Sequence, residues 1–168
     1  MTSNNTIEGT RFPSLPKTSL PIVSDMSSMI LSEKITVTDY GLIYAGAQKN
    51  IGPAGVAIVI VKKDLMGHEM PVTPILYQYK ATADEHSMLN TPPTYAIYMA
   101  GLVFKWLLDL GGVEAIEIRN KEKAKLLYDF LDQSKLFKSP INQADRSLMN
   151  VPFTSPSEEI DKAFIQQA

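Results

Sequence analysis

One lysine stands out by its neighbours. In Tyr44-Ala45-Gly46-Ala47-Gln48-Lys49-Asn50-Ile51-Gly52-Pro53-Ala54-Gly55, Lys49 sits among small residues. Small neighbours let a planar ligand approach the backbone, and desolvation of a lysine in such a place favours the neutral, nucleophilic amine. A phosphate-binding P-loop does not fit, because Lys49 precedes the second glycine, Gly52, instead of following it. A second feature, Val23-Ser24-Asp25-Met26-Ser27-Ser28, sets a carboxylate at the end of a short apolar run. A third, Ser87-Met88-Leu89-Asn90-Thr91-Pro92-Pro93, offers hydroxyl and amide donors at a helix start, which is anion-binding chemistry. Each has a plainer reading. Lys49 can be a solvent-facing loop lysine, Asp25 can cap a helix beginning at Met26, and residues 87–93 can be ordinary capping. His86 reads as a polar loop residue.

These residues need elements to position them. Residues 1–20, with Pro13 and Pro16, read as loop. Residues 21–25 read as a buried strand whose end carries Asp25 and Ser27, and residues 41–46 as a second strand delivering Gln48 and Lys49. The run VAIVIVKK (56–63) is continuous and β-branched, as expected for a strand covered on both faces, and its short link predicts an antiparallel neighbour. Residues 64–90 read as irregular. Asn90 or Thr91 is expected to cap a helix over Tyr95–Leu110, apolar nearly all round and so expected to be buried on more than one side. After Gly111-Gly112, residues 113–134 predict a helix with Ile116, Ala124, Leu127, Phe130 and Leu131 on its apolar side. Pro140 marks a boundary, 147–153 is a strand candidate, and Glu158–Ala168 a helix. The class is α/β. Three strands alone do not make a stable, doubly covered sheet, so this one is expected to lack its other half. An aspartate and a lysine at the tips of adjacent strands suit pyridoxal phosphate: the lysine holds the aldehyde and the aspartate keeps the pyridine nitrogen protonated.

Composition sets the bounds. The 168 residues are 45% apolar and 20% charged, which is globular and not disordered. Lys+Arg of 16 against Asp+Glu of 18 gives a net charge of -2, which argues against a broad basic face for nucleic acid or anionic membrane. Without cysteine there is no disulfide, thiolate nucleophile or iron–sulfur cluster, and two histidines are too few for a three-His metal site. The polar N-terminus is unlike a signal peptide, and the apolar runs at 54–61 and 101–110 are too short or interrupted to span a bilayer. The expectation is a soluble, cytoplasmic protein.

Taken in order, SDMSS (24–28), IYAGAQKNIGPAG (43–55) and SMLNTPPTYAIYMAGLVFKWL (87–107) resemble successive motifs of the phosphoserine aminotransferase family. So do the opening Ser3–Thr10 and the late Arg146–Phe153. The resemblance implies part of a fold-type I pyridoxal-phosphate transferase large domain, a mixed sheet with covering helices, plus the start of a small α/β domain. It divides the chain into 1–110, an interdomain helix region at 111–139, and a partial small domain at 140–168. Lys49 would carry pyridoxal 5'-phosphate as a Schiff base and shuttle the substrate's α-proton. Asp25 would pair with the pyridinium nitrogen, Thr6 would lie near the ring's phenolic oxygen, and Gln48 would help hold the phosphate. Asn90 and Thr91 would reach the partner's cofactor phosphate across a homodimer interface, and Ser27 would bond near the cofactor. The implied reaction is reversible amino transfer between O-phosphoserine and 2-oxoglutarate in serine biosynthesis, with a related role in pyridoxine synthesis.

Family members are longer than this chain. The resemblance places their glycine-rich phosphate loop, ring-stacking aromatic and substrate-gripping His and Arg residues elsewhere. Arg11, Arg119 and Arg146 match no such position. The chain is therefore expected to be a piece of the enzyme, inactive alone. The alternatives are a non-catalytic folding or oligomerisation unit and a related aminotransferase with another substrate. Open strand edges predict association through the strands near Ile22, Ile43 or Ile58, or through the helix around Trp106.

Overall fold

The computed structural model describes residues 1–167. Three strands form the central sheet: β3 (Val23–Asp25), β4 (Leu42–Gly46) and β5 (Ala57–Val61). β3 and β4 are parallel, with Asp25 opposite Tyr44; β4 and β5 are antiparallel, with Gly46 opposite Ala57. The chain opens on a two-stranded hairpin instead of the expected loop, with β1 (Asn4–Asn5) facing β2 (Thr10–Arg11). Just before β1, Thr2 bridges Asp25 in parallel and so adds a short fourth element beside β3.

Beyond the sheet the described residues form four α-helices: α1 (Tyr79–Asp84), α2 (Thr94–Asp109), α3 (Gly112–Gln133) and α4 (Glu158–Gln167). α1 falls in the stretch read as irregular. α2 turns into α3 through 81°. Gly111 makes that corner with a φ of +100°, a left-handed conformation that costs other residues strain. No single helix among the described residues is long and apolar enough to cross a membrane.

The core sits where the sheet meets the turn after β3. Met26, Met29, Ile30, Tyr40, Ile43, Ala45, Ala47 and Ile51 pack there against Ala100 of α2. Ile43 is 1% exposed, and burying such a side chain contributes about 1.5–3 kcal/mol. A second cluster joins Ala124, Tyr128 and Leu131 of α3 to Phe137, Leu148 and Val151.

Four expectations need correction. β5 is not covered on both faces: Val59 and Ile60 are exposed. α2 buries Ala96, Ala100 and Leu107, while Tyr95, Tyr98, Trp106 and Leu108 face outward. The buried stripe of α3 is Asn120, Ala124, Tyr128 and Leu131, with Leu127 and Phe130 exposed. The stripe tolerates two polar residues because each is paired: Asn120 Nδ2 donates to the Ser32 carbonyl and Tyr128 Oη to that of Ser147. Residues 147–153 form no strand. The Ser147 hydroxyl accepts the backbone N–H groups of Met149 and Asn150, which folds the segment into a turn. The C-terminal helix is present to Gln167, and the expected last residue, Ala168, lies outside the described residues.

Candidate active site

Two parallel neighbouring strands end on the same side of a sheet, so the loops that leave them lie together. β3 ends on Asp25 and β4 ends on Gly46, so Asp25 and the Ala47–Asn50 turn emerge at one carboxyl end, where α/β sheets gather their sites. The turn is closed by Ile51 N–H and Gly52 N–H donating to the Ala47 carbonyl. Ala45 and Ala47 are fully buried beneath it.

Asp25 is held by its neighbours. Its Oδ1 accepts both the N–H (2.8 Å) and the hydroxyl (2.7 Å) of Ser27. Ser27 Oγ in turn accepts the N–H of Gly46 at 3.0 Å, which ties the end of β4 to the end of β3. Asp25 thus steadies the turn after β3, which contains no helix of its own. Its Oδ2 accepts nothing among the described residues.

Lys49 is exposed in this chain, not buried as its small neighbours suggest. Its Nζ donates to Thr6 Oγ1 at 2.5 Å. Thr6 lies in the turn of the hairpin, whose stem is laid against β3 by Ser3 N–H and Ser3 Oγ donating to the Asp25 carbonyl. The fold thereby brings Asp25, Ser27, Lys49 and Thr6 to one end of the sheet. Gln48 is exposed beside them and folds over Gly46, where an added Cβ would lie 2.5 Å from Gln48 Oε1.

Asn90 and Thr91 do not join this group. Both are exposed, and neither side chain forms a hydrogen bond among the described residues. The expected capping of α2 is absent too, because Pro93 occupies the cap position and no side chain caps it. Asn90 instead lines a cavity of about 430 Å³ between β5, α1 and the start of α2, with Val59, Val61, Tyr79, Ser87 and Ile97.

Sequence spacing gives no sign of two further clusters. Asn4 of β1, Ser28 and the half-buried Asn150 meet in a polar knot. Arg146 forks onto both carboxylate oxygens of Asp132 and lies over the Tyr128 ring, 4.4 Å from its centroid. The Arg146 hydrogen bond holds the Asp132 carboxyl below its usual range, and burial pushes the Tyr128 phenol up.

An amine, a carboxylate with one uncommitted oxygen and a hydroxyl, arranged over small buried residues, fit an aldehyde cofactor with a basic ring nitrogen. Comparison with known proteins agrees. The chain belongs to the Aminotransferase class-V family, whose profile matches residues 3–168. Within that family the similarity is to phosphoserine aminotransferases. The Bacillus cereus (strain ZK / E33L) enzyme is 53% identical over 100% of this chain and 47% of its own length. A solved phosphoserine aminotransferase studied for radiation damage of its Schiff base superposes with a TM-score of 0.96 at 47% identity, over 99% of this chain and 47% of the other. The PLP-bound enzyme from Trichomonas vaginalis gives 0.93 at 39% identity, over 98% and 48%. The chain spans about half the length of the relatives it matches.

Proposed function

We propose that the chain carries the lysine-bearing half of a pyridoxal-phosphate-dependent aminotransferase that moves the amino group of O-phospho-L-serine to 2-oxoglutarate. The observation that carries this reading is the pairing of Lys49 with Thr6 at the sheet end that also holds Asp25. Similarity to phosphoserine aminotransferases across the whole chain supplies the substrate class.

Bound pyridoxal phosphate supplies an aldehyde that captures amino groups and a protonated ring that takes up an electron pair. The residues here divide the remaining work. Lys49 Nζ is the amine that would hold the aldehyde and, when free of it, the base that would take and return the substrate's α-proton. Asp25, its Oδ1 occupied by Ser27, has Oδ2 free and would be the carboxylate that keeps the pyridine nitrogen protonated. Thr6 steers Lys49 Nζ and serves the phenolic oxygen. Gln48, exposed beside Gly46, serves the phosphate. The unengaged amide of Asn90 and hydroxyl of Thr91 serve the cofactor phosphate of a second subunit. Their lack of hydrogen bonds among the described residues, and the place of Asn90 at an open cavity, support that reading.

The test is amino transfer itself. In the full-length enzyme that contains this chain, glutamate should form from 2-oxoglutarate with O-phosphoserine as donor, far more slowly with alanine, and not at all after Lys49→Ala. Preference for alanine would redirect the reading to an aminotransferase with another substrate.

A further inference from the structure

We propose that Asn150, far from Lys49 in sequence, is a positioning residue for it, acting through the hairpin that bears Thr6. This inference rests on the role proposed for Lys49 above.

The hairpin is short: β1 and β2 have two residues each, and so small a ribbon does not hold its shape alone. Contacts from outside fix it. Asn4 Nδ2 donates to Ser28 Oγ at 2.8 Å and to Asn150 Oδ1 at 2.9 Å, and Ser28 Oγ donates back to the Asn4 carbonyl at 2.8 Å. Ser147 N–H donates to the Gly9 carbonyl at 2.9 Å, and Thr10 bridges Arg146. Asn4 is 4% exposed and Ser28 7%, so a broken bond in this knot leaves a buried N–H or hydroxyl with one partner fewer.

The knot reaches the site by two short routes. Asn4 lies two residues before Thr6, whose hydroxyl accepts from Lys49 Nζ. Ser28 follows Ser27, which holds both Asp25 Oδ1 and Gly46 N–H. Asn150 supplies the acceptor that closes the knot from the 146–152 segment, which packs on α3 through Leu148 and Val151. A change in how that segment sits on α3 is thereby felt at Thr6 and, through it, at Lys49. Polar groups paired this way in a largely buried place favour one geometry, because breaking a pair costs more than keeping it.

The test uses two variants of the protein and two readouts. Asn150→Ala removes the acceptor. Asn150→Asp keeps it, and Asn150 Nδ2 has no hydrogen bond to lose among the described residues. Without cofactor, amide exchange of the 5–11 segment should quicken about tenfold in Asn150→Ala and stay within about twofold of wild type in Asn150→Asp, a tenfold change being one broken hydrogen bond's worth. With pyridoxal phosphate present, borohydride trapping at Lys49, counted relative to the exposed Lys125, should fall about fivefold or more in Asn150→Ala and recover in Asn150→Asp. A purely structural role would change exchange and leave the Lys49 to Lys125 ratio unmoved. Unchanged hairpin exchange in Asn150→Ala, or equal defects in both variants, overturns the inference. If wild type itself traps no cofactor at Lys49, the proposed function fails on that arm, and the exchange arm still decides whether Asn150 controls the hairpin.

Discussion

Gly9 packs tightly between the hairpin and the C-terminal segment, and Gly9→Ala gives a sharp stability prediction. Its φ is +64°, where an L-residue costs roughly 1–2 kcal/mol. An added Cβ would lie 2.0 Å from Pro152 Cδ, 2.5 Å from Pro152 Cγ and 2.8 Å from the Asn150 carbonyl. A proline ring has no rotamer by which to retreat, and overpacking of this kind costs about 1–3 kcal/mol more. The expected loss is roughly 2–5 kcal/mol, a large share of the stability of a small domain. Urea unfolding of wild type, Gly9→Ala, Pro152→Ala and the double variant separates the two parts. Pro152→Ala in the Gly9→Ala background should recover the overpacking portion and leave the backbone portion. A Gly9→Ala protein within about 0.5 kcal/mol of wild type would refute the packing described between hairpin and segment, as would strictly additive behaviour of the two substitutions.

Arg146→Lys keeps the charge but loses the fork onto Asp132 and the stacking over Tyr128, so its urea midpoint should fall at neutral pH. Because the folded Asp132 carboxyl sits below its unfolded value of about 3.9, the pair's contribution is present above that pH and lost as pH falls through the folded value; the gap between wild type and Arg146→Lys should therefore narrow below about pH 4. Phe137 meets Phe153 and Phe164 edge-to-face at 5.4 and 5.1 Å, so Phe137→Ala should cost about 2–4 kcal/mol and free α4, seen as faster proteolysis after residue 154. The exposed faces of β5 and α2, with Val59, Ile60 and Trp106, predict self-association of the chain at high concentration; light scattering should report a mass above 18.6 kDa, and a clean monomer would contradict it. Ile43, a candidate for that contact by sequence, is already buried within the chain.

The central strands were legible because apolar runs ending in small residues carry their own signal, and their chain order put Asp25 and Lys49 at one sheet end. The hairpin was not legible. Its residues are polar and its strands two residues long, and it exists because Ser28, Ser147 and Asn150, distant in sequence, hold it. The face of α3 was misplaced in part for a related reason: Asn120 and Tyr128, absent from the expected apolar side, are buried with Ala124 and Leu131 against backbone carbonyls that periodicity does not reveal. Residues 147–153 are apolar enough to suggest a strand, but the hydroxyl of Ser147 turns the backbone before a ladder can form. The apolar surround of α2 and β5 signalled faces made to be covered, although the chain itself does not cover them.

Reduction of the protein in the presence of pyridoxal phosphate tests the central claim most directly. Borohydride treatment and then peptide mapping should place the phosphopyridoxyl group on Lys49, in preference to exposed lysines such as Lys125 and Lys135, and Asp25→Ala should weaken that preference. A label spread evenly over the surface lysines, with Lys49 no different from the rest, would contradict the site proposed here.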